Sequence, residues 1–390
     1  MLDVDRQNQL MESIRGFADR YEVEQELDPA KAIPYQYSLL KELGIITFMV
    51  SRQLGGQEGD VKGYVLLLQE LAKISGSLAL LALCQMTASV GLQLCPYRSK
   101  TERYLRRQVE DERFIVSMAM TEPSAGSDIA AIRSTASRHG ERYLLSGEKC
   151  FISNGSRADL FLVFAKPPAF RDITDIMVFA VEQGMEGVSI ERDETKIGLR
   201  GSPISAIQFD NVSLGEEQVL APGAADHGSG FKAMMAGLNV SRLGAGAIAA
   251  GLARAAVDCA IRLIREKGEV DTSMSGPQGV KCALADGEAK IEAMQALISN
   301  CAGIIDGAEG SPVKAASVAK YFCTETAMEI VSKIFRIFGR SGAAGRNQLS
   351  SILRDLTCLL ILEGTSQIHQ LLIAREVLKS ETKSSVDNRK

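Results

Sequence analysis

The sequence predicts an α+β protein in three consecutive parts: helices, a compact β domain, then helices again. Three observations carry this. Apolar residues at helical spacing govern residues 1–112. Short runs rich in β-branched and aromatic residues, separated by Gly, Asn, Asp and Pro, govern 113–222. Long Ala- and Gly-rich helical stretches fill 223–380, and a polar tail follows at 381–390.

In the first part, "YSLLKELG" (Tyr37 to Gly44) and "GYVLLLQELAKISG" have helical spacing and end at Gly. The uncharged segment Ile74 to Tyr97 is long enough to span a bilayer. Gln85, Thr87, Ser89 and Gln93 interrupt it, which favours a buried core helix over a membrane span. In the second part, "RFIVSMAM", "RYLLSGEKCFISNG", "DLFLVFAK", "DIMVFAVE", "GVSIERD" and "SAIQFDNVSL" read as strands. In the third, Ser241 to Gly268 is rich in small residues that let helices approach closely, so it belongs inside a bundle. "QGVKCALADGEAKIEAMQALISNCAGII" and "SPVKAASVAKYFCTETAMEIVSKIFRIFG" are two further helices.

Composition narrows the function classes. Of 390 residues, 46% are hydrophobic and 24% charged, an ordinary balance for an enzyme-sized globule with a sizeable core. The net charge of -4, with no basic block, argues against nucleic acid. The eight cysteines stand singly, without CxxC or CxH spacing, so no metal site is expected and the compartment is reducing, hence cytoplasmic. The N-terminal stretch lacks the apolar core of a signal peptide.

Four stretches could carry chemistry. Glu363 follows the apolar run Leu359 to Leu362 and precedes Gly364, Thr365 and Ser366. Such a corner between two helices would desolvate the carboxylate and raise its pKa, as a general base near neutral pH requires. The plainer alternative is a glutamate that reaches solvent or pairs with Arg354. "MAMTEPSAGSD", from Met118 to Asp128, gathers Thr121, Gly126 and Ser127 in a loop that could wrap a polar ligand, or form an ordinary turn cluster. Phe151 and Ser153 alternate along "KCFISNG", which would place both on one face of a strand. "FRIFGRSGAAGRN" reads as a helix end and a Gly-rich loop carrying Arg336, Arg340 and Arg346, suited to phosphate or simply solvated. No Ser/His/Asp triad is suggested, and His139, His227 and His369 read as structural or exposed.

At these residues the sequence resembles the acyl-CoA dehydrogenase family. "MAMTEPSAGSD" is similar to the family's TEPxAGSD flavin loop and "CFISNG" to its WITNG strand. "RIFGRSG", "LRD" and "ILEGTSQIHQLLIARE" resemble its QxxGGxG, RD and YEGTSxIQ series, in order. The resemblance covers nearly the whole chain. It implies a helical domain, a β domain and a four-helix bundle, in homodimers or homotetramers. It also implies FAD and the α,β-dehydrogenation of an acyl thioester, with an electron acceptor such as an electron-transfer flavoprotein. Glu363 matches the base. Met118, Thr121, Gly126, Ser127, Phe151, Ile152, Ser153, Thr365 and Gln367 match flavin contacts. Ser127, Asn239, Arg242 and Gly364 match positions near the substrate, and Leu78 to Leu94 would line the acyl pocket. The family's alternative base position is Ser241 here, which cannot serve.

The chain departs from the pattern in four places. The family's R-x-x-F-G is absent, leaving Arg265 and Gln278 as stand-ins for the cofactor grip across subunits. In place of QxxGGxG stand Arg336, Gly339 and Arg340. Phe151 replaces the family's Trp. Asn239 replaces an Asp near pantetheine, which leaves CoA and acyl carrier protein both open as thioester carriers. The rivals to an acyl-CoA dehydrogenase are a dehydrogenase or oxidase of an acyl-carrier-protein-bound biosynthetic substrate, and a catalytically silent scaffold.

Overall fold

The computed structural model describes residues 10–14, 16, 29–111, 114–266, 278–343 and 348–387. Helices α1 (Pro29–Glu42), α2 (Val61–Ile74), α3 (Gly76–Leu94) and α4 (Arg98–Glu110) come first. Asp60 starts α2 by accepting from the Gly63 N–H at 2.8 Å. Ser75 ends α2 and caps α3, its hydroxyl accepting from the Leu78 N–H. Nearly every residue of α3 is buried, because helices and a sheet cover it on all sides; it is an internal helix of the fold.

Eight strands follow: β1 (Val116–Ala119), β2 (Thr135–His139), β3 (Arg142–Ser153), β4 (Leu160–Ala165), β5 (Met177–Glu182), β6 (Val188–Asp193), β7 (Ile204–Leu214) and β8 (Val219–Ala221). Every run read as a strand contains one; β2 and β8 are short additions. They form two four-stranded sheets, in the orders β1-β4-β5-β8 and β2-β3-β7-β6. The β1–β4 pair is parallel, and the pairs β2–β3, β3–β7 and β6–β7 are antiparallel. Strand β4, "LFLVFA", is buried on both faces. Phe161 meets Phe209 of the second sheet edge-on, and Phe164 meets Phe231 of the bundle in the same way.

The C-terminal part comprises α5 (Ser229–Glu266), α6 (Gln278–Ile305), α7 (Pro312–Ala343), α8 (Gln348–Leu359) and α9 (Ser366–Asp387). Helix α5 packs against α2, α3 and α7. Its small residues permit this: a Cβ on Gly244 would lie 2.1 Å from the Tyr64 hydroxyl. One expectation is corrected. The segment holding Arg336, Gly339 and Arg340 is not a loop, because α7 continues to Ala343. Arg346 lies outside the described residues.

The three parts meet at Asp355 on α8. Its carboxylate is buried and accepts the Leu199 N–H of the β domain at 2.6 Å. Its other oxygen faces the first turn of α3, where a Cβ on Gly76 would lie 2.7 Å away. Burial pushes this carboxyl up to about 6 against the Leu199 amide, Arg354 and Lys196.

Candidate active site

Helix α8 ends at Leu359, and three amides, Leu360, Ile361 and Leu362, fold back onto Leu356 and Cys358 to close a turn. Glu363 follows with φ of 58° and Gly364 with φ of 104°, both left-handed. Thr365 caps the next helix through its hydroxyl, which accepts from the Ile368 N–H at 3.4 Å. Glu363 therefore stands on the corner between α8 and α9, as the sequence suggested. A glutamate in this conformation costs on the order of 1–2 kcal/mol, so the surroundings must impose it.

Two buried side chains do so. Lys320 Nζ on α7 donates to the carbonyls of Leu360 at 3.0 Å and Gly364 at 2.7 Å. The His369 ring places Nε2 3.2 Å from the Glu363 carbonyl. Burial, with Lys320 and Arg242 nearby, drives His369 down to about 4, so its ring is neutral at pH 7 and Nε2–H donates.

The Glu363 carboxyl is raised above the ordinary glutamate value by burial. The Ser241 hydroxyl, Arg242 and Lys320 oppose the rise. Among the described residues no cation lies within ion-pair distance of Glu363, and Arg354 is not its partner. The Glu363 N–H likewise has no hydrogen-bond acceptor among the described residues.

On the second sheet, β3 carries a bulge between Lys149 and Ile152, where Phe151 adopts φ of 53°. The bulge breaks the simple alternation on which the shared face of Phe151 and Ser153 was inferred. It leaves the Phe151 ring 58% exposed, while Ile152 is buried. Cys84, half-buried on the largely buried α3, lies near both Ser153 and Glu363. Burial pushes its thiol up to about 12, with Glu363 adding to the rise and Ser153 opposing it. Tyr64 is buried nearby and also feels the Glu363 charge.

The TEP loop is anchored from beneath. Glu122 is buried against Lys149 at 2.8 Å and accepts from the backbone N–H groups of Arg133 and Ser134. The Thr121 carbonyl accepts from the Cys150 N–H at 2.9 Å. Gly126 and Ser127 are exposed on that loop, Thr121 and Met118 half-buried. Asn239 is buried and accepts from Arg242 Nη1 at 3.2 Å. Gln367 is exposed on the first turn of α9. Arg265, Gln278 and Arg336 are exposed on α5, α6 and α7, and among the described residues no hydrogen bond or ion pair joins them to the Glu363 corner. Gly339 and Arg340 fall on α7, their side-chain placement outside the described part.

Sequence reasoning missed Lys320, Tyr64, Cys84 and Lys149. Lys320 had a legible signal: Ala316, Ala319, Cys323 and Ala327 form a buried stripe around it, so it is a cation on an apolar helix face.

Family profiles match three successive stretches. The acyl-CoA dehydrogenase N-terminal domain matches residues 4–112, the middle domain 117–212 and the C-terminal domain 228–378. A cyclohex-1-ene-1-carbonyl-CoA dehydrogenase of Geobacter metallireducens is 31% identical over 354 residues, covering 90% of this chain and 92% of that protein. The CarC subunit of the caffeyl-CoA reductase-Etf complex of Acetobacterium woodii is 30% identical over 379 residues, covering 96% and 98%. The structure of butyryl-CoA dehydrogenase from Megasphaera elsdenii superposes with a TM-score of 0.87 at 26% identity, covering 97% of this chain and 99% of that one.

Proposed function

The chain belongs to the acyl-CoA dehydrogenase family, and from that premise we propose that Glu363 is the base of a flavin-dependent α,β-dehydrogenation of an acyl thioester. The class of reaction follows from the family: oxidation or reduction at a CH–CH group of an acyl-CoA.

The observation that carries the assignment is the state of Glu363: among the described residues, its desolvated carboxylate has no ion-pair partner and its own N–H no acceptor. The α proton of a thioester becomes acidic when its carbonyl oxygen accepts hydrogen bonds. The Glu363 N–H would donate one, while the carboxylate of the same residue takes the proton. Raised proton affinity suits the base to neutral pH, and Ser241, Arg242 and Lys320 keep it ionisable.

The chain's residues fit FAD. Phe151 presents an exposed ring on the bulge, Thr121, Gly126 and Ser127 line a polar loop, and Thr365 and Gln367 stand at a helix N-terminus. FAD held there would supply the acceptor for the β hydride. The Acetobacterium woodii relative is named as part of an Etf complex, which supports electron-transferring flavoprotein as this chain's redox partner. That relative is also named a reductase, which favours a second reading in which the same site protonates and reduces an enoyl thioester.

The test is a visible spectrum of the purified protein, before and after anaerobic addition of acyl-CoA and acyl-carrier-protein thioesters. Bleaching of a flavin band by one set establishes the oxidative half-reaction and its carrier. A reduced flavin reoxidised by enoyl thioesters alone establishes the reductive direction. A protein that stays colourless with added FAD overturns the assignment.

A further inference from the structure

Lys320 has no exposed surface and sits on a buried face of α7 made of Ala316, Ser317, Ala319, Cys323, Thr324 and Ala327, none of them charged. An ammonium there costs several kcal/mol unless its protons are taken up. The Leu360 and Gly364 carbonyls take up two, and they bracket Glu363 on either side. His369 holds the carbonyl of Glu363 itself from α9. Three consecutive helices thus fix a five-residue corner, 360–364, that carries two successive left-handed residues. A corner of that shape persists only where its surroundings over-determine it.

We infer that Lys320 is the positioning residue of the base: by fixing both ends of the 360–364 corner it aims the Glu363 carboxylate and the Glu363 N–H together. This rests on Glu363 being the base. A backbone turn that drifts by about 1 Å would misplace the proton acceptor and the oxyanion donor at once, because one residue carries both. The charged and titratable groups facing Lys320 are Glu363 on the corner, Glu325 on its own helix, Arg242 on α5 and His369 on α9. Burial pulls Lys320 down to about 8; Glu363 and Glu325 oppose this, and Arg242 adds to it. Lys320 is therefore charged at neutral pH, and its charge favours the ionised base.

The test compares the flavin-loaded wild type with Lys320→Met, Lys320→Arg and Glu363→Gln. The probe is whichever of butyryl-CoA, cyclohexane-1-carbonyl-CoA and 3-phenylpropionyl-CoA bleaches the wild-type flavin fastest. Rapid anaerobic mixing gives the limiting rate and the Kd from about pH 6 to about pH 9. For Lys320→Met the limiting rate falls about 10- to 100-fold, and the acid limb moves up by about one pH unit. Its Kd changes less than about threefold, and Lys320→Arg recovers part of the rate. A Lys320→Met enzyme within about twofold of the wild-type rate, with an unmoved acid limb, overturns the inference while leaving the base assignment intact. If Lys320→Met does not fold, Lys320→Gln is read the same way, since it also removes the charge. Near wild-type bleaching by Glu363→Gln rejects the base assignment and the inference with it.

Discussion

Lys149 and Glu122 form an ion pair of 2.8 Å in which neither side chain is more than 3% exposed. It joins strand β3 to the loop that follows β1. Burial pushes Glu122 up, but Lys149, the Arg133 amide and Ser134 outweigh it and leave the carboxyl below its usual value. Lys149→Met strands a buried carboxylate, and about 3–5 kcal/mol of stability is expected to be lost. Chemical denaturation checks this. Bound flavin per chain should fall with it, because the loop carrying Thr121 and Ser127 loses its anchor.

Glu363→Gln keeps the shape of the corner and removes the proposed proton acceptor. The rate of flavin bleaching by the probe thioester is expected to fall about 10²- to 10⁴-fold while the flavin stays bound. In the wild type, the acid limb of that rate should lie above the ordinary glutamate range, the direction in which burial moves Glu363. A wild-type acid limb at or below that range would contradict the burial argument.

Asp355 makes stability depend on pH. Its folded pKa of about 6 exceeds the ordinary 3.8, so its contribution is fully present below about pH 4 and is lost as pH rises through 6. The carbonyl of Asp355→Asn still accepts from Leu199 but cannot ionise. Between about pH 4 and pH 6 the variant should gain up to about 3 kcal/mol relative to wild type. Denaturation midpoints across that range give the measurement.

Tyr64 and Gly244 should be energetically coupled. A Cβ at position 244 would meet the Tyr64 hydroxyl at 2.1 Å, and Leu68 and Leu83 at 2.9 Å. Gly244→Ala alone should destabilise by about 1–3 kcal/mol. Tyr64→Phe removes the hydroxyl oxygen, the nearest clash. The double variant should therefore recover part of the loss, read as a double-mutant cycle.

What was legible in the sequence was local. Alternation and β-branched runs found the main strands, and the Gly364 and Thr365 signals found the corner that bears Glu363. The reading failed where one residue changes the geometry or where partners are distant. Phe151 takes a left-handed φ, so the period-two pattern on β3 stops there. Gly339 reads as a helix stop, yet α7 runs on through it. Lys320 reaches carbonyls 40 and 44 residues away, a contact that no window of sequence contains.

The Asp355 joint also bears on how the chain is made. The carboxylate that ties the Leu199 loop to the start of α3 is supplied 156 residues after Leu199. A nascent chain must therefore carry its first helices and both sheets, already emerged, before this joint can close. Until α8 emerges from the ribosome, the apolar faces that α8 covers stand open to chaperones and to neighbouring chains. Truncation before residue 355 should for that reason yield aggregates that sequester the β sheets rather than a smaller soluble fragment.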